Sequence, residues 1–308
     1  MHIDARAANF GWNFPRRGED TIVSWEGIVR ESTKKASSIR RYGARIAGIV
    51  TGENRGDPAA WEALAECDLA EFRADLFDTR DLSAGFSSFL AERDRRGLSF
   101  ATLFTLRLRR DGGHWPDSEA AARLPVWESL AEGKSAPVPD WIDIEIEQAG
   151  KLPAGFRERL AASGVRVLLS HHDFTGCPGR DRLRALLEGM LAFRPDGVKF
   201  AVTCLTRSEL PALMSFAREA SAESSMAAVL SMGAAGRAMR VLGPVLGCPL
   251  AYGFLTGDAV APGQLSAAEL GRRLDDFSAA LPGELLAPGS EPRLLDWAEA
   301  RMQGEPIG

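Results

Sequence analysis

Eight short apolar runs recur along residues 45–254, separated by segments whose apolar residues fall at helical spacing. No other feature limits the available folds as strongly. The runs are Arg45–Thr51, Cys67–Asp75, Phe100–Arg107, Trp141–Glu145, Val165–His172, Gly197–Thr203, Met226–Met232 and Leu250–Phe254. Blocks of β-branched residues and leucine, such as Val165–Ser170, suit strands buried on both faces. The helical patterns are Pro58–Glu66, Leu82–Arg95, Ser118–Ala131, Pro153–Ala162, Arg180–Phe193, Arg207–Ala222, Gly236–Leu246 and Ala267–Ala279. In Arg180–Phe193, for example, Leu183, Leu186, Leu187, Met190 and Leu191 share one stripe. Alternating strands and helices predict a parallel sheet, and the count of eight favours an α/β fold closed into a (β/α)8 TIM barrel. An open doubly wound sheet is the rival, weakened because no Gly-rich dinucleotide or P-loop fingerprint follows the first strand.

The expected organisation is an N-terminal extension over residues 1–42, a catalytic barrel over 43–280 and a C-terminal tail over 281–308. The tail is expected to hold one helix at Pro292–Met302. In the extension, Thr21–Val29 is read as a short hairpin covering one end of the barrel. Lys34, Lys35, Arg40 and Arg41 are read as a solvated basic face.

Composition removes several classes of function. A chain of 308 residues, 45% apolar and 26% charged, has the make-up of a soluble globular protein. Its net charge of −5 provides no global field for nucleic acid. Cys67, Cys177, Cys204 and Cys248 stand far apart, as expected for reduced thiols rather than a disulfide or zinc set. No apolar run has the length of a membrane span, and no basic-then-apolar leader opens the chain, so a cytoplasmic protein is expected.

In a closed parallel barrel the chemistry gathers at the carboxyl ends of the strands. Polar residues there are Glu71, Arg73, Asp75, Arg107, Asp111, Asp143, Glu145, His171, His172, Lys199, Ser231, Arg240 and Gln264. Lys199 lies inside an apolar run, where lost hydration lowers its pKa and frees the amine to attack a carbonyl. Strand–helix–strand connectivity brings His172 into the same neighbourhood, and imidazole accepts a proton near neutral pH. The pair points to Schiff-base chemistry. His171 and His172 face opposite ways on a regular strand, so only one is expected in the site. Glu71 and Arg73 share a face, as an interior ion pair or as ligand contacts. Asp143 and Glu145 repeat that spacing; with no histidine beside them, a structural polar layer is expected rather than a metal site. Ser231-Met232-Gly233 before a helix could hold an anion. A Ser-His-Asp triad is disfavoured because no Gly-x-Ser-x-Gly elbow is present.

Seven stretches in order then carry a family resemblance: EFRAD at Glu71–Asp75, TLR with DGG within Thr105–Gly113, DIE at Asp143–Glu145, and HDF at His172–Phe174. The strand-borne Lys199, SMG with the following glycine and arginine over Ser231–Arg240, and APGQ at Ala261–Gln264 complete the set. Together they resemble the type I 3-dehydroquinate dehydratases, from about Arg45 to Phe277. The resemblance implies a cofactor-free and metal-free hydro-lyase of the shikimate pathway, a homodimer acting on a small carboxylated cyclic ketone. It implies that Lys199 forms the imine, His172 is the general base and acid, and Asp111 orients the histidine. It places Arg240 on the substrate carboxylate, Glu71, Arg73, Arg107 and Ser231 around the site, and Val260 and Gln264 on the closing loop. Three positions depart from the family: Asp111 replaces glutamate, and Met239 and Val260 replace serines. The shorter Asp111 arm is expected to lengthen its bond to His172. The departures leave two alternatives open, a relative acting on a less polar cyclic keto acid and a silent barrel that binds shikimate-type acids.

Overall fold

The computed structural model describes residues 41–78, 81–133 and 137–303. The hairpin expected at Thr21–Val29 and the basic residues Lys34, Lys35 and Arg40 lie outside them. Eight strands appear where the apolar runs predict them: β1 (Arg45–Val50), β2 (Leu69–Arg73), β3 (Ala101–Thr105), β4 (Trp141–Glu145), β5 (Arg166–Asp173), β6 (Gly197–Thr203), β7 (Ala227–Met232) and β8 (Leu250–Phe254). All ladders are parallel, in the order β7-β6-β5-β4-β3-β2-β1-β8. β7 packs beside β8, so the two ends of that order meet and the sheet curls into a nearly closed (β/α)8 barrel.

The helices are α1 (Pro58–Leu64), α2 (Leu82–Arg95), α3 (Arg123–Glu132), the single turn α4 (Ile146–Ala149), α5 (Phe156–Ala162), α6 (Arg180–Ala192), α7 (Leu210–Glu223), α8 (Met239–Val245), α9 (Ala267–Ala280) and α10 (Glu291–Gln303). Local chemistry explains where several begin later than their apolar pattern. Pro125 sits in the first turn of α3, where its missing N–H costs nothing, and a 3-10 turn over Asp117–Ala122 precedes it. Thr206 and Glu209 form a reciprocal capping box before Pro211 opens α7.

Strand residues alternate between two cores, as the pleat requires. One set faces the helices, including Phe72, Phe104, Val167, Phe200 and Val229. The other fills the barrel interior, including Ala47, Leu69, Leu103, Leu168, Ala228 and Leu250. Register is pinned at the amino ends by a repeated device. Asp68, Asp140 and Asp196, each just before an even-numbered strand, accept the backbone N–H of Ile46, Thr102 and Val167 at 2.9, 2.8 and 2.8 Å. The tail helix α10 buries Leu294, Leu295 and Ala298 and stacks Trp297 edge-on against Phe277, with ring centroids 4.9 Å apart. Arg218 and Glu291 pair beside it at 3.1 Å. No helix among the described residues is long and apolar enough to cross a membrane.

Candidate active site

The barrel's carboxyl end opens into a cavity with about 550 Å³ of empty space, the open solvent at its mouth included. Nine of the ten expected residues line it: Glu71, Arg73, Arg107, Asp111, His172, Lys199, Arg240, Val260 and Gln264. Strand parity explains the convergence. On β5, Leu168, Ser170 and His172 point inward, and on β6 so do Lys199 and Ala201. His172 pairs in register with Ala201, two residues beyond Lys199, so the two backbones are on the order of 8 Å apart. His171 faces outward as expected, with Nδ1 3.2 Å from Glu147 and its ring against Phe200.

Ser231 does not line the cavity. On β7 the inward positions are Ala228, Leu230 and Met232, which turns Ser231 away. Its Oγ accepts from the Cys204 N–H at 3.0 Å and donates to the Met232 carbonyl at 3.2 Å. Ser231 is therefore a packing group, while Met232 of the same motif lines the cavity. A Cβ on Gly236 would lie 2.1 Å from that Oγ, so glycine allows the turn that brings Arg240 to the mouth.

Charges around the site are heavily paired. Arg73 does not bond Glu71, the interior pair that spacing alone allows. It donates to Asp75 through Nε at 2.9 Å and Nη2 at 2.8 Å, because the chain turns after Arg73 and presents Asp75 to the guanidinium plane. Asp75 also accepts the N–H groups of Arg107 and His114, at 3.2 and 3.0 Å, and so holds the loop that carries Asp111. Asp143 and Glu145 form the expected polar layer. Arg107 meets Asp143 at 2.6 Å and Glu145 at 3.4 Å, and Arg123 meets Glu145 at 2.7 Å. The carboxylates Asp143, Glu145 and Glu71 keep Arg107 charged despite burial. Glu71 accepts from Thr105 at 2.9 Å and lies 3.7 Å from the Lys199 amine.

Two groups are shifted in the direction that imine chemistry favours. Burial lowers the Lys199 pKa and outweighs the raising effect of Glu71 and Asp143, with Arg107 and Arg73 adding to the depression. Burial, followed by the charge of Arg107, holds the His172 imidazole well below its ordinary value and hence neutral. Its Nδ1 lies 3.4 Å from Arg107 Nη1, while Asp111 Oδ2 faces Arg110 Nε at 3.5 Å and accepts no hydrogen bond.

A third group is a buried cation without a counter-charge among the described residues. Arg240 is buried, has no carboxylate partner among the described residues, and donates from Nη2 to the Pro262 carbonyl at 3.0 Å. Its Nε is unbonded, and burial lowers its pKa to about 10. An unneutralised buried guanidinium fits an incoming carboxylate. The loop it braces carries Val260 and Gln264, with Gln264 Oε1 accepting the Val260 N–H at 3.1 Å. Gly263 in that loop has φ +72°, and a Cβ there would lie 2.5 Å from the Gly233 carbonyl.

The sequence reading missed Ile49, Phe174, Ala201, Leu230, Met232 and Tyr252 as site residues, and with Gly112 and Ala261 they complete the lining. Inward parity on β1, β7 and β8 was the available signal for four of them.

Asp111 leads to a stability prediction. Its carboxyl is pushed up to about 6, by burial first and then by Glu145 and Glu147. The folded state thus holds the proton more tightly than the unfolded chain, whose aspartate titrates near 4. Stability present at acid pH is lost as pH rises from about 4 through 6. Asp111→Asn should therefore melt higher than the parent at pH 8, with the gap closing as pH falls from 6 towards 4. Thermal melts across that range would show it, and a gap independent of pH would refute it.

A parallel barrel with a desolvated amine, a neutral imidazole and an unneutralised guanidinium at one end defines a (β/α)8-barrel enzyme. Residues 49–278 match the type I 3-dehydroquinase family. A 3-dehydroquinate dehydratase of Thermococcus gammatolerans is 33% identical over 229 residues, 73% of this chain and 95% of its own. That of Methanosarcina barkeri is 28% identical over 209 residues, 68% and 84% of the respective chains. The solved 3-dehydroquinate dehydratase of Geobacillus kaustophilus shares the fold, with a TM-score of 0.66 over 78% of this chain and 93% of that one, at 24% identity. The chain belongs to the type I 3-dehydroquinase family.

Proposed function

We propose that this chain dehydrates 3-dehydroquinate to 3-dehydroshikimate through an imine on Lys199. The observation that supports it most is the convergence of Lys199 and His172 on one cavity that also holds the unneutralised Arg240. The free amine of Lys199 adds to the ring ketone, and loss of water leaves a protonated imine. That imine draws electrons from the neighbouring C–H bond, whose proton passes to neutral His172. The resulting enamine expels the ring hydroxyl, which leaves as water with the proton His172 returns. Hydrolysis of the conjugated imine releases the ketone and restores the amine. Arg240 holds the substrate carboxylate, and Glu71 and Asp143 lie close enough to balance the positive charge on the nitrogen. Asp111 stands at the position that orients the histidine in the family resemblance, and Gln264 covers the ligand. No metal or organic cofactor enters the scheme. A homodimer in the cytoplasm accompanies this reading and rests on the family resemblance alone.

Borohydride reduction in the presence of 3-dehydroquinate should leave a stable secondary amine on Lys199, located by intact mass and peptide mapping. Absence of any adduct would sink the reading. A second reading, action on a less polar cyclic keto acid, is favoured by Ile49, Leu230, Met232 and Val260 in the lining. A higher kcat/KM on such an acid than on 3-dehydroquinate would establish it.

A further inference from the structure

Tyr252 stands at the heart of the cavity with a group that the scheme above leaves unused. It lies on β8, in register with Ala47 of β1, and points into the barrel. Its ring packs beneath the Lys199 amine, with Nζ 4.0 Å from the ring centroid. That contact stabilises the ammonium state through the ring face and needs no hydroxyl. The side chain is only 3% exposed, yet its Oη has no hydrogen-bond partner. A buried orphan hydroxyl is a cost that phenylalanine would avoid in the same space.

Nothing among the described residues offers Oη a ready partner. Glu71 is engaged by Thr105, Arg107 by Asp143 and Ser170, and Arg73 by Asp75. Burial, with Glu71 and Asp143 nearby, keeps the phenol protonated and able to donate. Among the described residues that line the cavity, Tyr252 is the one that carries a hydroxyl side chain. Around it the wall is apolar, from Ile49, Leu230, Met232 and Val260.

We propose that the Tyr252 hydroxyl is a specificity group that hydrogen-bonds a ring hydroxyl of the bound substrate. It supplies from the barrel floor the polar contact that Val260 cannot supply from the closing loop. The assignment rests on the function proposed above. It makes the site selective for polyhydroxylated rings despite its apolar wall, because a ring lacking that hydroxyl leaves Oη unpaired.

Tyr252→Phe keeps the ring and removes only the oxygen. With 3-dehydroquinate its kcat/KM should fall roughly ten-fold, carried by KM with kcat nearly constant, as for loss of a uniform binding contact. Its melting temperature should hold or rise, since an unpaired buried group has gone. Borohydride trapping at saturating substrate should remain complete in both proteins, with the same dependence on pH. An unchanged KM, with the wild-type adduct formed, would overturn the assignment and leave the function standing. A fall confined to kcat with a shifted pH dependence of trapping would overturn it as well, since the hydroxyl would then act on Lys199. Failure of the wild-type protein to trap 3-dehydroquinate would overturn both.

Discussion

Lys199→Ala is expected to abolish the borohydride-trapped adduct and to lower kcat by about four orders of magnitude or more, the scale of losing a covalent nucleophile. No neighbour can stand in for the amine. The other cations at the cavity are guanidinium groups, which stay protonated and do not form imines. The variant should still fold. Its substitution leaves Glu71 and Asp143 short of one positive neighbour, but Thr105, Arg107 and Ser170 continue to bond those carboxylates. Circular dichroism and a thermal melt separate loss of chemistry from loss of structure. Retained turnover in a folded Lys199→Ala protein would remove the imine from the mechanism.

His172→Ala is expected to split the reaction. The amine remains, so the substrate imine should form and be trapped, while elimination slows by roughly 10²- to 10⁴-fold with the loss of the proton carrier. Pre-steady-state mass measurement should then find the enzyme largely as substrate adduct rather than free. The cause lies in protonation. His172 is neutral because burial and Arg107 disfavour its charged form, so wild-type activity should persist well below the pH at which an ordinary histidine becomes protonated. A His172→Ala protein that turns over normally would move the base elsewhere.

Much of this was legible in the chain because buried parallel strands write both of their properties into it. Their apolar runs placed the eight strands, and their two-residue period placed His172 and Lys199 inward and His171 outward. What escaped was set by geometry beyond the strand. The Arg73–Asp75 pair depends on a turn that begins where β2 ends. Arg123 reaches Glu145 from α3, and its fully buried guanidinium looks like an ordinary helix arginine in the sequence. Ser231 was misplaced by trusting a motif over parity, since Leu230 and Met232 already occupy the inward positions on β7. Tyr252 was overlooked because a tyrosine in an apolar run reads as core, and only its missing partner marks it out.

Arg240 spends one N–H on the backbone of the loop that carries Val260 and Gln264 and leaves its Nε unbonded. If its fork takes the substrate carboxylate as proposed, the same residue both grips the acid and braces the loop. On that proposal a mutation that retunes the grip for a different acid also disturbs the loop, so affinity and the shape of the entrance evolve together.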